Sequence, residues 1–196
     1  MLVRVLILSA LLVHCALAVG GGESVRVAVG SNGPAYVVEA QVDVPVAPGV
    51  AWGVLTDFDR MATILNNLET SRIVQRQGNR LLIRQAGVAH YGPIAYAFEV
   101  EREIRLEPMR HIHARNLSGS LKRMESDLWL DAAGAEQVRI AYHAEFEFDS
   151  WLARLFGAPF LEHEIEEQFL LMAAEMQRRA AHAREALHPV HLPAQP

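Results

Sequence analysis

Residues 159–186 read PFLEHEIEEQFLLMAAEMQRRAAHAREA, and this stretch decides the fold. Its apolar residues fall at Leu161, Ile165, Phe169, Met172, Met176, Ala180 and Ala183, in steps of three or four. That spacing places all of them on one face of an α-helix. The opposite face carries Glu162, Glu164, Glu166, Glu167, Glu175, Arg178 and Arg179. Glutamates crowd the first half and arginines the second, as the helix dipole prefers. At about 1.5 Å per residue such a helix spans roughly 40 Å. An amphipathic helix of this kind needs a partner surface for its apolar face.

Almost everything upstream alternates like β-strand. Ser24–Val29 is a short strand, and Gly30-Ser31-Asn32-Gly33-Pro34 is a turn cluster. Tyr36–Val44 alternates cleanly, with Tyr36, Val38, Ala40, Val42 and Val44 on one face, so the two strands can pair as a hairpin. Pro48 opens a short helix that ends near Thr56-Asp57. Phe58–Leu65 continues as a second helical piece, closed by Asn66-Asn67. Strands follow at Leu68–Gln77, Arg80–Val88, Tyr96–Leu106, Met109–Leu117 and Leu121–Leu130. A last strand turns Val138, Ile140, Tyr142, Ala144, Phe146 and Phe148 inward. Asp149-Ser150 suits an N-cap, Trp151–Phe156 a helical turn or two, and Gly157-Ala158-Pro159 launches the long helix. The expected class is α+β. One long C-terminal helix lies in the concave face of a curved antiparallel sheet, with two short helices after the first core strand. Residues 35–186 form one domain, residues 19–34 a lead-in with a short strand, and residues 187–196 a Pro-rich tail expected to be disordered.

The first residues point to export. Met1-Leu2-Val3-Arg4 is a short basic start, Val5–Ala18 is apolar, and Ala16-Leu17-Ala18 is an A-x-A type cleavage site. We expect a signal peptide over residues 1–18, cut after Ala18; the alternative is an uncleaved N-terminal membrane anchor. Cleavage removes Cys15, the only cysteine, and with it any thiol or disulfide chemistry. A single lysine, Lys122, beside abundant alanine and arginine suggests a GC-rich bacterial genome, and hence the periplasm. The formal net charge is −5 and no basic run occurs, which argues against a nucleic-acid partner.

Together the element order and several local motifs resemble the START-like, helix-grip superfamily (SRPBCC). That superfamily includes the polyketide cyclase/dehydrase group and the coenzyme Q-binding START proteins. Residues 44–60, VPVAPGVAWGVLTDFDR, resemble its opening segment: strand, Pro, short helix with an aromatic, then an Asp-aromatic-Asp break. Asn67–Arg72 resembles the start of its second strand, and Ser118-Gly119 with the following apolar set and Trp129 resembles its middle strands. The resemblance runs from Tyr36 to Arg179. It departs at Ile64-Leu65-Asn66, where members often have Phe-Leu-Pro. It implies a cavity between sheet and long helix.

Alternation alone supplies a lining for such a cavity: Tyr96, Phe98, Met124, Tyr142, Phe146, Phe169 and Met172, with Phe58 and Met61 closing one end. Arg102 falls on the same face as Tyr96, Phe98, Val100 and Ile104. It must pair with a carboxylate, hold a ligand's polar head, or reach water from the strand end. His111 and His113 share a strand face without a third ligand, so no metal is expected; His143 points outward on its own strand. His90-Tyr91 is placed in a connection at the cavity rim. No nucleophile elbow, metalloprotease helix, P-loop or dinucleotide fingerprint is present, so no catalytic residue and no cofactor is assigned.

The expected function is an exported binding protein for a hydrophobic small molecule: a quinone, lipid or polyketide-like compound. Transient membrane contact would accompany it. Two alternatives stay open. One is a polyketide cyclase/aromatase-like enzyme working through Arg102, Tyr96 and Tyr142. The other is a filled scaffold that acts by protein contacts in the envelope.

Overall fold

A computed structural model describes residues 23–33, 35–91, 94–148 and 157–187. The signal segment, Gly20–Gly22, Pro34, Gly92-Pro93, the Asp149-Ser150 cap, the Trp151–Phe156 turn and the Pro-rich tail lie outside these residues.

Eight strands form one antiparallel sheet in the order β1-β2-β8-β7-β6-β5-β4-β3. They are β1 (Ser24–Asn32), β2 (Ala35–Val44), β3 (Leu68–Gln77), β4 (Arg80–Tyr91), β5 (Ile94–Glu107), β6 (His111–Gly119), β7 (Arg123–Gly134) and β8 (Gln137–Glu147). Between β2 and β3 come α1 (Pro48–Leu55) and a 3₁₀ helix (Phe58–Thr63). The chain ends in α2 (Gly157–Leu187). This is the helix-grip architecture: a curved sheet around one long helix. Among the described residues, no helix is long and apolar enough to cross a membrane.

Alternation carries the inner face. Val38, Ala40, Val42 and Val44 of β2 are buried, as are Val138, Ile140, Ala144 and Phe146 of β8 and Met124, Leu128 and Leu130 of β7. From α2 they meet Leu161, Ile165, Phe169, Ala173, Met176 and Ala180. Burial of each large aliphatic or aromatic side chain contributes roughly 1.5–3 kcal/mol, so this stripe holds the helix in the grip.

Several expectations need correction. The buried face of α2 is wider than the seven-residue stripe: Phe160 and Glu164 are also buried, whereas Ala183 is exposed. The second helical piece is a 3₁₀ turn that stops at Thr63, before Ile64-Leu65. His90 and Tyr91 belong to β4 and not to a connection. Trp129 needs no such correction: between the inward Leu128 and Leu130 it points outward, 39% exposed, and stacks on His111 at 5.3 Å.

Two glycines let the sheet bend. A Cβ at Gly87 would sit 1.9 Å from the Asn67 carbonyl oxygen, and one at Gly119 would sit 2.0 Å from that of Glu99. The backbone runs this close because Val88 N–H donates to Asn67 and Ser120 N–H to Glu99. Gly119 also has φ +115°, a region L side chains avoid.

A charge network pins the second half of α2. Arg179 bridges Glu175 at 2.6 Å and Asp57 at 2.7 Å, joining α2 to the junction after α1. Arg178 holds the other side of Glu175. Hydrogen bonds from these two arginines hold the Glu175 carboxyl down at about 2, against the opposing effect of burial.

Two outcomes follow. Gly87→Ala should destabilise the fold by roughly 1–3 kcal/mol, read as a lower urea midpoint at unchanged slope. Glu175 has a folded-state pKa below its ordinary 4.5, so its contribution is present above that value and is lost as pH falls toward about 2. Glu175→Gln should therefore be less stable than the parent at neutral pH. Its acid limb should be flatter between those two values, measured by denaturation at stepped pH.

Candidate functional site: a two-chambered cavity between sheet and helix

Two chambers lie between α2 and the concave face. The inner one has a volume of about 130 Å³ and is walled by Leu55, Phe58, Met124, Tyr142, Phe169 and Met172, among other apolar side chains. The outer one, about 110 Å³, is walled mainly by Tyr96, Phe98, Phe146, Phe148 and Phe160. Arg102, Ile165 and Gln168 line both and so form the boundary between them. A further depression of about 270 Å³ lies across β3–β5, beside Gln75, Gln77, Arg80 and Glu103.

The sheet explains the placement. β5 carries Tyr96, Phe98, Val100, Arg102 and Ile104 on one face by its two-residue period. β8 brings Tyr142 and Phe146 to the same side, and α2 lowers Phe169 and Met172 onto them. Tyr142 and Phe169 meet edge to face at 5.3 Å. Phe58, Met124, Tyr142, Phe169 and Met172 thus come together in the inner chamber. Tyr96, Phe98 and Phe146 do so in the outer one, and Arg102 joins the two. Met61 is different: it is 6% exposed, packed in the core below the 3₁₀ turn, and it walls neither chamber. The turn is tighter than the expected α-helix, and it presents Phe58 to the chamber instead.

Arg102 does not reach water from the strand end. It lies deep in the protein, and its Nε has no hydrogen-bond partner. Among the described residues no carboxylate pairs with it. Arg102 lines both chambers. Burial pulls its pKa below the usual guanidinium value, and the neighbouring Tyr142 opposes that. The Tyr142 phenol is pushed up by burial, against the influence of Ser126 and Arg102. A guanidinium without a counter-ion in an apolar chamber is costly, and an acceptor placed there recovers that cost.

Sequence reasoning missed a set of polar wall residues. Gln85 and Ser126 are buried at inner-chamber positions. Both follow from strict alternation, Gln85 two residues after Ile83 and Ser126 between Met124 and Leu128. Glu164 was placed on the solvent face but is only 8% exposed. It stands three residues after Leu161 and one before Ile165, so it shares their flank. Its Oε2 accepts from Asn67 Nδ2 at 2.9 Å. Burial raises its pKa, and the Asn67 bond opposes that. His111 and His113 sit far from this site, on the outer face, where both meet Asp127. His143 is also outside, against Glu39.

The family model "Polyketide cyclase / dehydrase and lipid transport" matches residues 36–177. Solved structures share the fold at low identity. The Zhui aromatase/cyclase from Streptomyces sp. R1128 superposes with TM-score 0.63 at 18% identity, covering 80% of this chain and 99% of that one. A START superfamily protein from Mycobacterium smegmatis gives 0.58 at 11%, covering 75% and 98%. The lipid transfer and protein localization domain of human StarD13 gives 0.56 at 10%, covering 80% and 84%. No curated protein matches the sequence at a significant level. With that family model spanning the strands and helices that build both chambers, the chain belongs to the polyketide cyclase/dehydrase and lipid transport family and has the START-like, helix-grip fold.

Proposed function

We propose that this domain holds a hydrophobic small molecule in the two chambers, with an oxygen of that molecule seated on Arg102. One observation carries the reading: a buried arginine Nε without a partner, on the boundary of two apolar cavities. Apolar walls with few polar groups are how such sites gain affinity and orientation. The family description and the lipid transfer domain among its structural neighbours support the same reading. Quinones, lipids and polyketide-like compounds all fit this chemistry. Arrival of such a ligand from a bilayer would involve transient membrane contact.

A second reading rests on the closeness of Arg102 and Tyr142. A guanidinium and a phenol beside one carbonyl oxygen would polarise it, as a cyclase or aromatase requires. Tyr96 sits apart from that pair, in the outer chamber, where its hydroxyl lies 3.4 Å from the Ser120 carbonyl. The Zhui aromatase/cyclase among the structural neighbours favours this version. In both readings Arg102 does the binding.

We place the protein in a bacterial envelope: its first residues support export with a cut after Ala18, and its lysine-poor, arginine- and alanine-rich composition supports a bacterial source. The intact mass of protein recovered from the periplasm should begin at Val19. A mass that includes residues 1–18 would assign the anchor alternative instead.

Native mass spectrometry of the same material, followed by solvent extraction, should release one hydrophobic molecule per chain. Bare protein that also refuses quinones and fatty acids would transfer the weight to the scaffold. Arg102→Met should weaken binding of a medium-chain fatty acid about tenfold or more, the scale of a hydrogen bond to a charged group. The same change should leave the thermal midpoint of the empty protein equal or higher, because it removes an unpaired buried charge. A residue that merely stabilised the fold would give a lower midpoint.

A further inference from the structure

The chambers carry a second polar station. Among the described residues, the buried side-chain atoms without a hydrogen-bond partner are Asn67 Oδ1, Arg102 Nε and Asn116 Oδ1. The first two belong to residues that wall the outer chamber. They differ in kind: Arg102 Nε is a donor and needs an acceptor, whereas Asn67 Oδ1 is an acceptor and needs a donor. Beside Asn67 stands Glu164, whose Oε2 takes the Asn67 amide hydrogen at 2.9 Å. The amide is thereby oriented with Oδ1 left over. Glu164 also walls the outer chamber, so two acceptor groups, Asn67 Oδ1 and the Glu164 carboxyl, stand in its wall. A carboxyl oxygen accepts in either protonation state. The same chamber is otherwise walled largely by aromatic side chains, Tyr96, Phe98, Phe146 and Phe160 among them. Buried polar groups left unmatched cost about 1–3 kcal/mol each, so a matched ligand gains at both stations.

We propose that the ligand has two polar ends: an acceptor oxygen that meets Arg102, and a hydroxyl that donates to the Asn67–Glu164 pair across the aromatic outer chamber. This rests on the binding reading above and narrows it from any hydrophobic molecule to hydroxylated oxo-compounds or hydroxy acids. On the far side of Glu164 a surface recess is lined by Asn66, Asn67, His90, His163 and Glu167. The hydroxyl end therefore lies toward the exit, and the acceptor end deeper in the protein.

The test uses the purified full-length protein and two probe series, straight-chain medium-length fatty acids and their ω-hydroxy counterparts, compared by titration calorimetry. At the best-fitting length the ω-hydroxy acid should bind about tenfold tighter than the plain acid, one charged-group hydrogen bond's worth. In Glu164→Met this preference should vanish, and a cooperative thermal transition shows that the variant is folded. Equal affinity of the two acids for the parent protein at every length overturns the two-ended ligand and leaves the binding reading standing. A preference that survives in Glu164→Met overturns the assignment to this pair. Failure of both series to bind overturns the two-ended acid ligand, and refusal of quinones as well overturns the binding reading itself. If Glu164→Met does not fold, the parent comparison still decides the two-ended ligand, and Asn67→Ala takes its place in the second arm.

Discussion

One constraint shapes this molecule: the apolar face of α2 has to be covered by a sheet bent far enough to reach round it. An untwisted sheet would leave part of that face in water. The bend is permitted at Gly87 and Gly119, where the backbone lies so near Asn67 and Glu99 that no side chain fits. The same bend lifts the middle strands away from the helix. Side chains on β4, β5 and β6 then stop short of α2, and the chambers are the space left over. The cavity is thus a by-product of how the helix is held.

Charge is handled in opposite ways inside and outside. Outside, arginines and carboxylates pair repeatedly: Arg179 with Asp57 and Glu175, Arg139 and Arg26 with Asp43, Arg84 with Glu101. The exposed members of these pairs add little each. Within the sheet's grip the rule is broken, since among the described residues no carboxylate pairs with Arg102 in its apolar surroundings. A chain that pairs its surface arginines so readily could have supplied a carboxylate there too. An unpaired guanidinium there lowers stability, and under the proposed binding role it is the point on which a guest's oxygen would sit.

Much of the architecture was legible in the residues because periodicity is a strong signal. The two-residue period of Tyr36–Val44 and of Val138–Phe148 fixed which side chains face the core. The three-to-four spacing of Leu161, Ile165, Phe169 and Met176 fixed one side of α2. Weaker signals gave errors. Met61 was read on helical geometry, but Phe58–Thr63 winds as a 3₁₀ turn, which rotates Met61 into the packed core. Glu164 looks solvated as a glutamate among glutamates; it lies on the buried flank of Leu161 and Ile165, and its polar partner, Asn67, is nearly a hundred residues away in sequence. The solitary state of Arg102 could not be read at all. Alternation gives a direction, whereas the absence of a partner depends on every strand around it.

Strand β1 lies before the region that matches the family model, and it changes the rim of the sheet. Its hydrogen-bonded register with β2 runs from Ser24↔Asp43 to Asn32↔Ala35. Without it β2 would be the open border, presenting a row of free peptide groups beside the most apolar strand of the molecule. Such a border is a template for self-association. With β1 in place the border strand carries Arg26, Ser31 and Asn32, and Arg26 turns back to Asp43. The nine-residue ribbon acts as a selvedge: it moves the border of the sheet off apolar β2 and onto a strand with polar and charged side chains.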